Sequence, residues 1–380
     1  MLGAEPRSGA PGHQLARRES VDPGYAGVAK DLKARNAFVP LQTGSSRSPI
    51  RVVVVTALLA GVMAGPAALL SGTFHSPGAA RKAAASTVRA VASQAAPGSA
   101  PAAPALFAST WLRVHPQPEL EIDGQADILV DVDTHQILWQ RASHEQRAPA
   151  SLTKLITAMV AADLAPLDSS VTASQSTDMD AARKVEPAST VMGLTAGEKL
   201  TVRELMYGLF LRSGNDAAET LASGIVGRDR FVQLMNDKAA ELHMSESHFT
   251  TPAGLDDPGM KSSAYDLAIA AATISTRYPD LLAISGTAAI KISQTATHKE
   301  FDLVNYNKMV IPGTQYTYSG ATGMKTAFTD DAGPCMVATA ARGGRHLVAV
   351  IMHSDNFFAD ATTLFDYGFG RLAKKPRGEE

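Results

Sequence analysis

Two groups of strand-like runs, far apart in the chain, constrain the fold more than any other feature. ADILVDVD and HQILWQ lie close together and are joined by a short polar turn at Asp133–Thr134. Three further runs, GATGMKTAF, GPCMVATAAR and RHLVAVIMH, come only after residue 319. The interval between the two groups has helical patterning. Pro149 precedes SLTKLITAMVAADL, and LTVRELMYGLFL stops at Ser213-Gly214-Asn215. DAAETLASGIV resumes a helix, and RFVQLMNDKAAELHM and SAYDLAIAAATIS are amphipathic. FFADATTLFDYGFGRL closes the pattern as a helix. Strands at both ends with helices between them predict an α+β fold. One largely antiparallel sheet is assembled from both ends of this region, with flanking helices and a helical subdomain.

This region is only part of the 380 residues. Residues 52–70 read VVVVTALLAGVMAGPAALL and carry no charge. A helix rising ~1.5 Å per residue needs about this length to cross a bilayer core. The preceding segment holds Arg7, Arg17, Arg18, Lys30, Lys33, Arg35, Arg47 and Arg51. Positive residues stay on the cytoplasmic side, which predicts a single-pass membrane protein with its C-terminal part outside the cytoplasm. A cleaved signal peptide and secretion are the competing expectation, but the long polar leader and the long apolar run favour an uncleaved anchor. Residues 1–50 then read as a cytoplasmic tail, 51–73 as the transmembrane anchor and 74–110 as an Ala/Pro/Ser-rich linker. Residues 111–372 read as the folded domain and 373–380 as a short tail. The formal net charge of −2 and the lack of a Lys/Arg-rich block argue against a nucleic-acid partner. A single cysteine, Cys335, excludes an internal disulfide and a Cys/His zinc site, so no metal or cofactor is expected.

Three short patterns carry candidate chemistry. Ser151 and Lys154 are three apart near a helix start and share a face. A serine is a poor nucleophile until a base takes its proton, and a buried lysine can be that base. Read alone, the pair is more often a capping serine beside a solvated lysine. Ser213-Gly214-Asn215 sits in a break between helices, where a hydroxyl relays protons and an amide bonds both a lysine and a carbonyl. Read alone, it is an ordinary turn. Lys325-Thr326 sets a cation and a hydroxyl on a strand, able to hold a carboxylate or to end a strand in water.

In this order the three patterns follow the signature of β-lactamases and penicillin-binding proteins. The flanking stretches RAPASLTKLITAMVA, GEKLTVRELMYGLFLRSGNDAAETLA, SAYDLA and TGMKTAFTDDAG resemble the serine D-alanyl-D-alanine carboxypeptidases, the low-molecular-weight penicillin-binding proteins. The resemblance covers about residues 120–370 and implies a penicillin-binding-protein, transpeptidase-like fold. It implies that Ser151 attacks the bond between two terminal D-alanines of a peptidoglycan stem peptide and that Lys154 takes its proton. It further implies that Ser213 passes the proton on, that Asn215 positions substrate, and that Lys325 and Thr326 bind the terminal carboxylate. Backbone N–H groups of Ser151 and Phe328 would form the oxyanion hole, and β-lactams would be covalent inhibitors.

Two residues depart from that family's pattern. Ala327 stands where the motif has glycine, and its methyl is expected to bear on how closely substrate lies along the strand. The stretch HSDNFFADATTL contains no arginine where the family often has one, and Asp360 falls there instead, as a carboxylate-site change or simply as a helix N-terminal acid. Family members without a further C-terminal domain include D,D-endopeptidases, so cleavage of cross-links is an alternative. A β-lactamase needs a group that activates water, for which only Glu186 and Glu198 offer themselves, and a non-catalytic wall-binding homologue is the third alternative.

Overall fold

The computed structural model describes residues 106–174 and 189–373. The tail, the apolar run and most of the expected linker lie outside them, as does Glu186. Among the described residues no helix is long and apolar enough to cross a membrane.

The N-terminal hairpin forms as its two strand-like runs and the polar turn between them predict, with β1 (Ala126–Asp131) antiparallel to β2 (Gln136–Arg141). Asp131 fixes the turn by accepting from the backbone N–H groups of Asp133 and Thr134, both at 3.0 Å. Two further segments, β3 (Ser170–Thr172) and β4 (Lys199–Thr201), pair as a small separate sheet, and β5 (Ala289–Ile292) and β6 (Phe301–Val304) make another. The C-terminal strands are β7 (Ala321–Thr329), β8 (Gly333–Arg342) and β9 (Arg345–Met352). They join the hairpin in one five-stranded sheet of order β2-β1-β9-β8-β7. β1 and β9 pair antiparallel, Leu129 opposite Ala349, so the two ends of the domain meet at the middle of the sheet.

A strand's side chains alternate between faces, and here both faces are covered. Ile128 and Val130 point into the larger core, shared with α2 (Lys154–Leu164) and α6 (Ala264–Arg277). Leu129, Ala349 and Ile351 point the other way, against Phe358, Leu364 and Phe365 of α8 (Phe357–Ala373). That explains why every β1 position is buried. α2 is buried on every side from Lys154 to Ala161 because it runs through the centre. Around it lie α3 (Val202–Leu211), α4 (Asn215–Ile225) and α5 (Arg228–Glu241), while α7 (Pro279–Ser285) packs on α3, α6 and β7. α3 opens with a capping box: Glu204 N–H donates to Thr201 Oγ1 at 3.1 Å, and Thr201 N–H to Glu204 Oε2 at 2.7 Å.

The described residues before the expected start at 111 already belong to the fold. Phe107 is buried in the core, and Ala108 exchanges backbone hydrogen bonds with His135 and Ile137 at 2.9 and 3.0 Å. A short helix, α1 (Thr110–Val114), follows directly.

Candidate active site

Ser151 lies on a 3-10 turn, Ala150–Thr153, and α2 begins only at Lys154. The turn is entered through Ala150 at φ 47, a conformation few non-glycine residues adopt. A spacing of three still keeps Ser151 and Lys154 on one face. Lys154 Nζ lies 2.8 Å from Ser151 Oγ, 2.7 Å from Asn215 Oδ1 and 2.6 Å from the Ala253 carbonyl oxygen. The lysine is fully buried, and Ser151 is 8% exposed. A neutral amine in this position donates to the two carbonyl oxygens and still has a lone pair for the Ser151 proton.

Asn215 is the first residue of α4, and the loop before it is held from several sides. Asn215 Nδ2 donates to Ser189 Oγ at 2.5 Å, and Asn215 N–H to the Thr190 carbonyl at 2.9 Å. Thr190 Oγ1 donates to the Ser213 carbonyl at 2.9 Å. The buried Asp216 carboxylate accepts from the backbone N–H groups of Met192, Gly193 and Leu194 at 2.8–2.9 Å. These bonds over-determine the loop and hold Ser213 at φ 55. Ser213 is buried two residues from Asn215, but among the described residues no hydrogen bond joins its hydroxyl to Ser151 or Lys154.

β7 is an edge of the main sheet and packs against the Ser151 turn. Alternation divides its residues. Lys325 and Ala327 share a face with Val337 and Cys335 of β8, while Thr326 and Phe328 leave by the other face. Lys325 is almost fully buried, and its Nζ donates to the Thr326 carbonyl at 2.5 Å. Burial, and then the repulsion of Lys154, hold the Lys325 ammonium well below the usual lysine range. Thr326 is half-buried and Phe328 is 40% exposed. The Ala327 methyl is part of the larger core, 6% exposed, rather than turned to the open edge.

Several contributors had escaped the sequence reading. Ala253 supplies a carbonyl to Lys154, and Gly254 follows it at φ +79. A Cβ on Gly254 would overlap the carbonyl of Ala150, so only glycine lets this loop reach Lys154. The signal was the Pro252-Ala253-Gly254 punctuation, readable as a turn but not as a ligand. Asp216 was visible only as an acid after the Ser213-Gly214-Asn215 break.

Glu198 is engaged elsewhere, accepting from Thr195 N–H at 2.8 Å and Lys299 N–H at 3.0 Å, beside the Lys299 ammonium. Asp360 proves structural. It sits buried in the first turn of α8, accepts from Gly124 N–H at 3.1 Å and Ser354 Oγ at 2.6 Å, and so ties the entry of β1 to α8.

A family model described as D-alanyl-D-alanine carboxypeptidase matches residues 113–356. The D-alanyl-D-alanine carboxypeptidase DacF of Bacillus subtilis is 32% identical over 269 residues, covering 68% of this chain and 65% of its own. The chain thus spans a little under two thirds of that relative's length. DacB2 of Mycobacterium tuberculosis is 35% identical, with 68% of this chain and 88% of its own covered. Among solved structures, the Streptomyces K15 DD-transpeptidase superposes with a TM-score of 0.61 at 27% identity, over 67% of this chain and all of its own.

Proposed function

The chain belongs to the D-alanyl-D-alanine carboxypeptidase family, and we propose that it hydrolyses the D-Ala-D-Ala terminus of peptidoglycan stem peptides through an acyl-enzyme on Ser151. One observation carries the reading: a buried lysine amine 2.8 Å from a serine hydroxyl, held there by Asn215 and the Ala253 carbonyl. Neutral Lys154 takes the Ser151 proton as Oγ bonds to the penultimate carbonyl carbon. Backbone N–H groups of Ser151 and Phe328 receive the developing oxyanion, where one donor is worth ~3 kcal/mol. The C–N bond then breaks, Ser213 relays the proton to the leaving amine, and D-alanine departs. Water adds its hydroxyl to the acyl carbon and returns a proton to Ser151. Asn215 aligns the peptide, and Lys325 and Thr326 lie along the strand that receives its end.

An amine in place of that water would give peptide transfer, a second reading favoured by the likeness to a structure named a DD-transpeptidase. Cleavage of cross-links uses the same steps with a longer leaving amine. A β-lactamase reading has lost Glu198, whose carboxylate is engaged at Thr195 and Lys299.

The test is to incubate the full chain and its Ser151→Ala variant with a fluorescent penicillin and with an acyl-D-Ala-D-Ala peptide, with and without glycine as acceptor. Stable label on Ser151 and release of D-alanine are expected. Hydrolysed penicillin with rapid loss of label would instead mean a β-lactamase, and no label and no release would end the enzymatic reading.

We propose as well that residues 51–73 anchor the protein, with the enzyme domain on the outer side of the membrane, on the strength of the uncharged run at 52–70. Alkaline extraction of membranes should leave the full chain in the pellet. A mature N-terminus beyond residue 73 would replace the anchor with a cleaved signal.

A further inference from the structure

The proposed substrate ends in a free carboxylate, and a carboxylate bound from water needs an accessible cation. Lys325 is almost fully buried and bonded to the Thr326 carbonyl, so it presents little of its charge to water. Arg212 has the missing properties. It immediately precedes Ser213 and is half-buried. Its guanidinium stacks on Tyr306, 4.6 Å from the ring centroid, and pairs with no acid among the described residues.

The stack is rigidly mounted. Tyr306 N–H donates to the Leu211 carbonyl at 2.9 Å, tying the ring's segment to the end of α3. The buried Asn305 donates to the carbonyls of Ser285 and Thr287, both at 2.9 Å, and accepts from Asn307 N–H at 2.9 Å. The chain then enters a short 3-10 turn, Lys308–Val310, which packs on β7. The Arg212–Tyr306 pair therefore joins the loop that carries Ser213 to the segment that packs on the Lys325 strand. An arginine fixed on an aromatic face keeps its planar fork of donors for a carboxylate and loses little freedom on binding it.

Resting on the carboxypeptidase reading, we infer that Arg212, held on the ring of Tyr306, is the cation that receives the free C-terminal carboxylate of the acyl-D-Ala-D-Ala substrate. Two bonds of a guanidinium fork to one carboxylate explain how a terminus can be told from a continuing peptide.

The test compares a peptide ending in D-Ala-D-Ala with the same peptide bearing a C-terminal amide, using the full chain. Arg212→Gln should raise KM for the carboxylate peptide by about tenfold or more while kcat changes little, the loss expected for a hydrogen bond to a charged group. The amide peptide should be unaffected. Arg212→Lys should restore part of the loss, and Tyr306→Leu should give an intermediate KM with the charge intact. Thermal melts establish that each variant folds. Binding of both peptides to Ser151→Ala, with and without Arg212→Gln, gives a readout that needs no turnover. A preference for the carboxylate that vanishes with Arg212→Gln supports the inference even if the wild type releases no D-alanine, an outcome that would overturn only the carboxypeptidase reading. Equal effects on the two peptides, or no carboxylate preference to lose, would overturn the assignment of Arg212.

Discussion

At the scale of single residues, the site depends on backbone conformations that ordinary side chains resist. Gly254 is the sharpest case: it lies at φ +79, its position has no room for a Cβ beside the Ala150 carbonyl, and its neighbour Ala253 bonds Lys154. Gly254→Ala would cost roughly 1–2 kcal/mol in the left-handed conformation alone. It would also press on the residue that precedes Ser151. Displacements of about 1 Å can cost on the order of a hundredfold in rate. Penicillin acylation of Gly254→Ala should therefore slow by at least about tenfold, with a folded circular dichroism spectrum. Acylation at the wild-type rate would mean that the Ala253 carbonyl does not set the Lys154 position. Ala327 calls for the opposite expectation. Its methyl packs in the core on the Lys325 face, so the departure from glycine is a packing change more than a change in the substrate's path. Removing a buried methyl and loosening the strand should together destabilise Ala327→Gly by about 1–2 kcal/mol. Urea denaturation measures this. Turnover on D-Ala-D-Ala peptides should be unaltered, and a clear change in substrate preference with unchanged stability would reverse the argument.

At the scale of elements, the sequence is legible wherever a segment carries its own period. The strand-like runs ADILVDVD and HLVAVIMH and the helices between them appear as expected. The pairs β3–β4 and β5–β6 were not foreseen, because strands of three or four residues are too short to show a period, and α7 was missed for the same reason. The triad of Ser151, Lys154 and Asn215 was legible through order and local context. The Ala253 carbonyl was not, because a backbone acceptor leaves no letter in the sequence. Buried charge between elements was equally hidden. Asp127 of β1 bonds Arg141 of β2 at 2.7 Å, yet burial, with the nearby charge of Asp360 adding to it, pushes its carboxyl from 3.8 up to about 6. Its folded pKa thus exceeds its unfolded one. The native state retains a proton that the unfolded state releases, so stability is full below about pH 4 and falls as pH rises towards 6. Two pKa units correspond to up to ~3 kcal/mol. Asp127→Asn keeps a neutral group at this position at every pH, although it gives up the ion pair with Arg141. Its midpoint in urea should therefore fall less between pH 4 and 6.5 than that of the wild type. Identical slopes would mean that Asp127 titrates outside this window.

At the scale of the molecule, the sheet's topology decides when the site can exist. The Ser151 turn follows the N-terminal hairpin, whereas Lys325 lies on a strand reached after all the intervening helices. They meet only when β1 pairs with β9, with β8 and β7 completing the sheet. Such pairing closes a very long loop before it gains contacts, which makes folding slow. Local elements, including the turn that bears Ser151 and α2, can form earlier without yielding an active protein. Trp139 reports the late event, because it is buried on β2 in the core beneath α8, with its Nε1 donating to the Pro118 carbonyl at 3.1 Å. On dilution from urea, the capacity to be acylated by penicillin should return with the rate constant of the slow Trp139 fluorescence change, read with Trp111 replaced by phenylalanine. Ile128→Ala, at a fully buried position of the central strand, should remove about 2–5 kcal/mol of stability and delay or abolish both signals together. Were acylation to recover well before Trp139 becomes buried, the nucleophile and its lysine would form a working site without the closed sheet. The strand that carries Lys325 would then be dispensable for acylation.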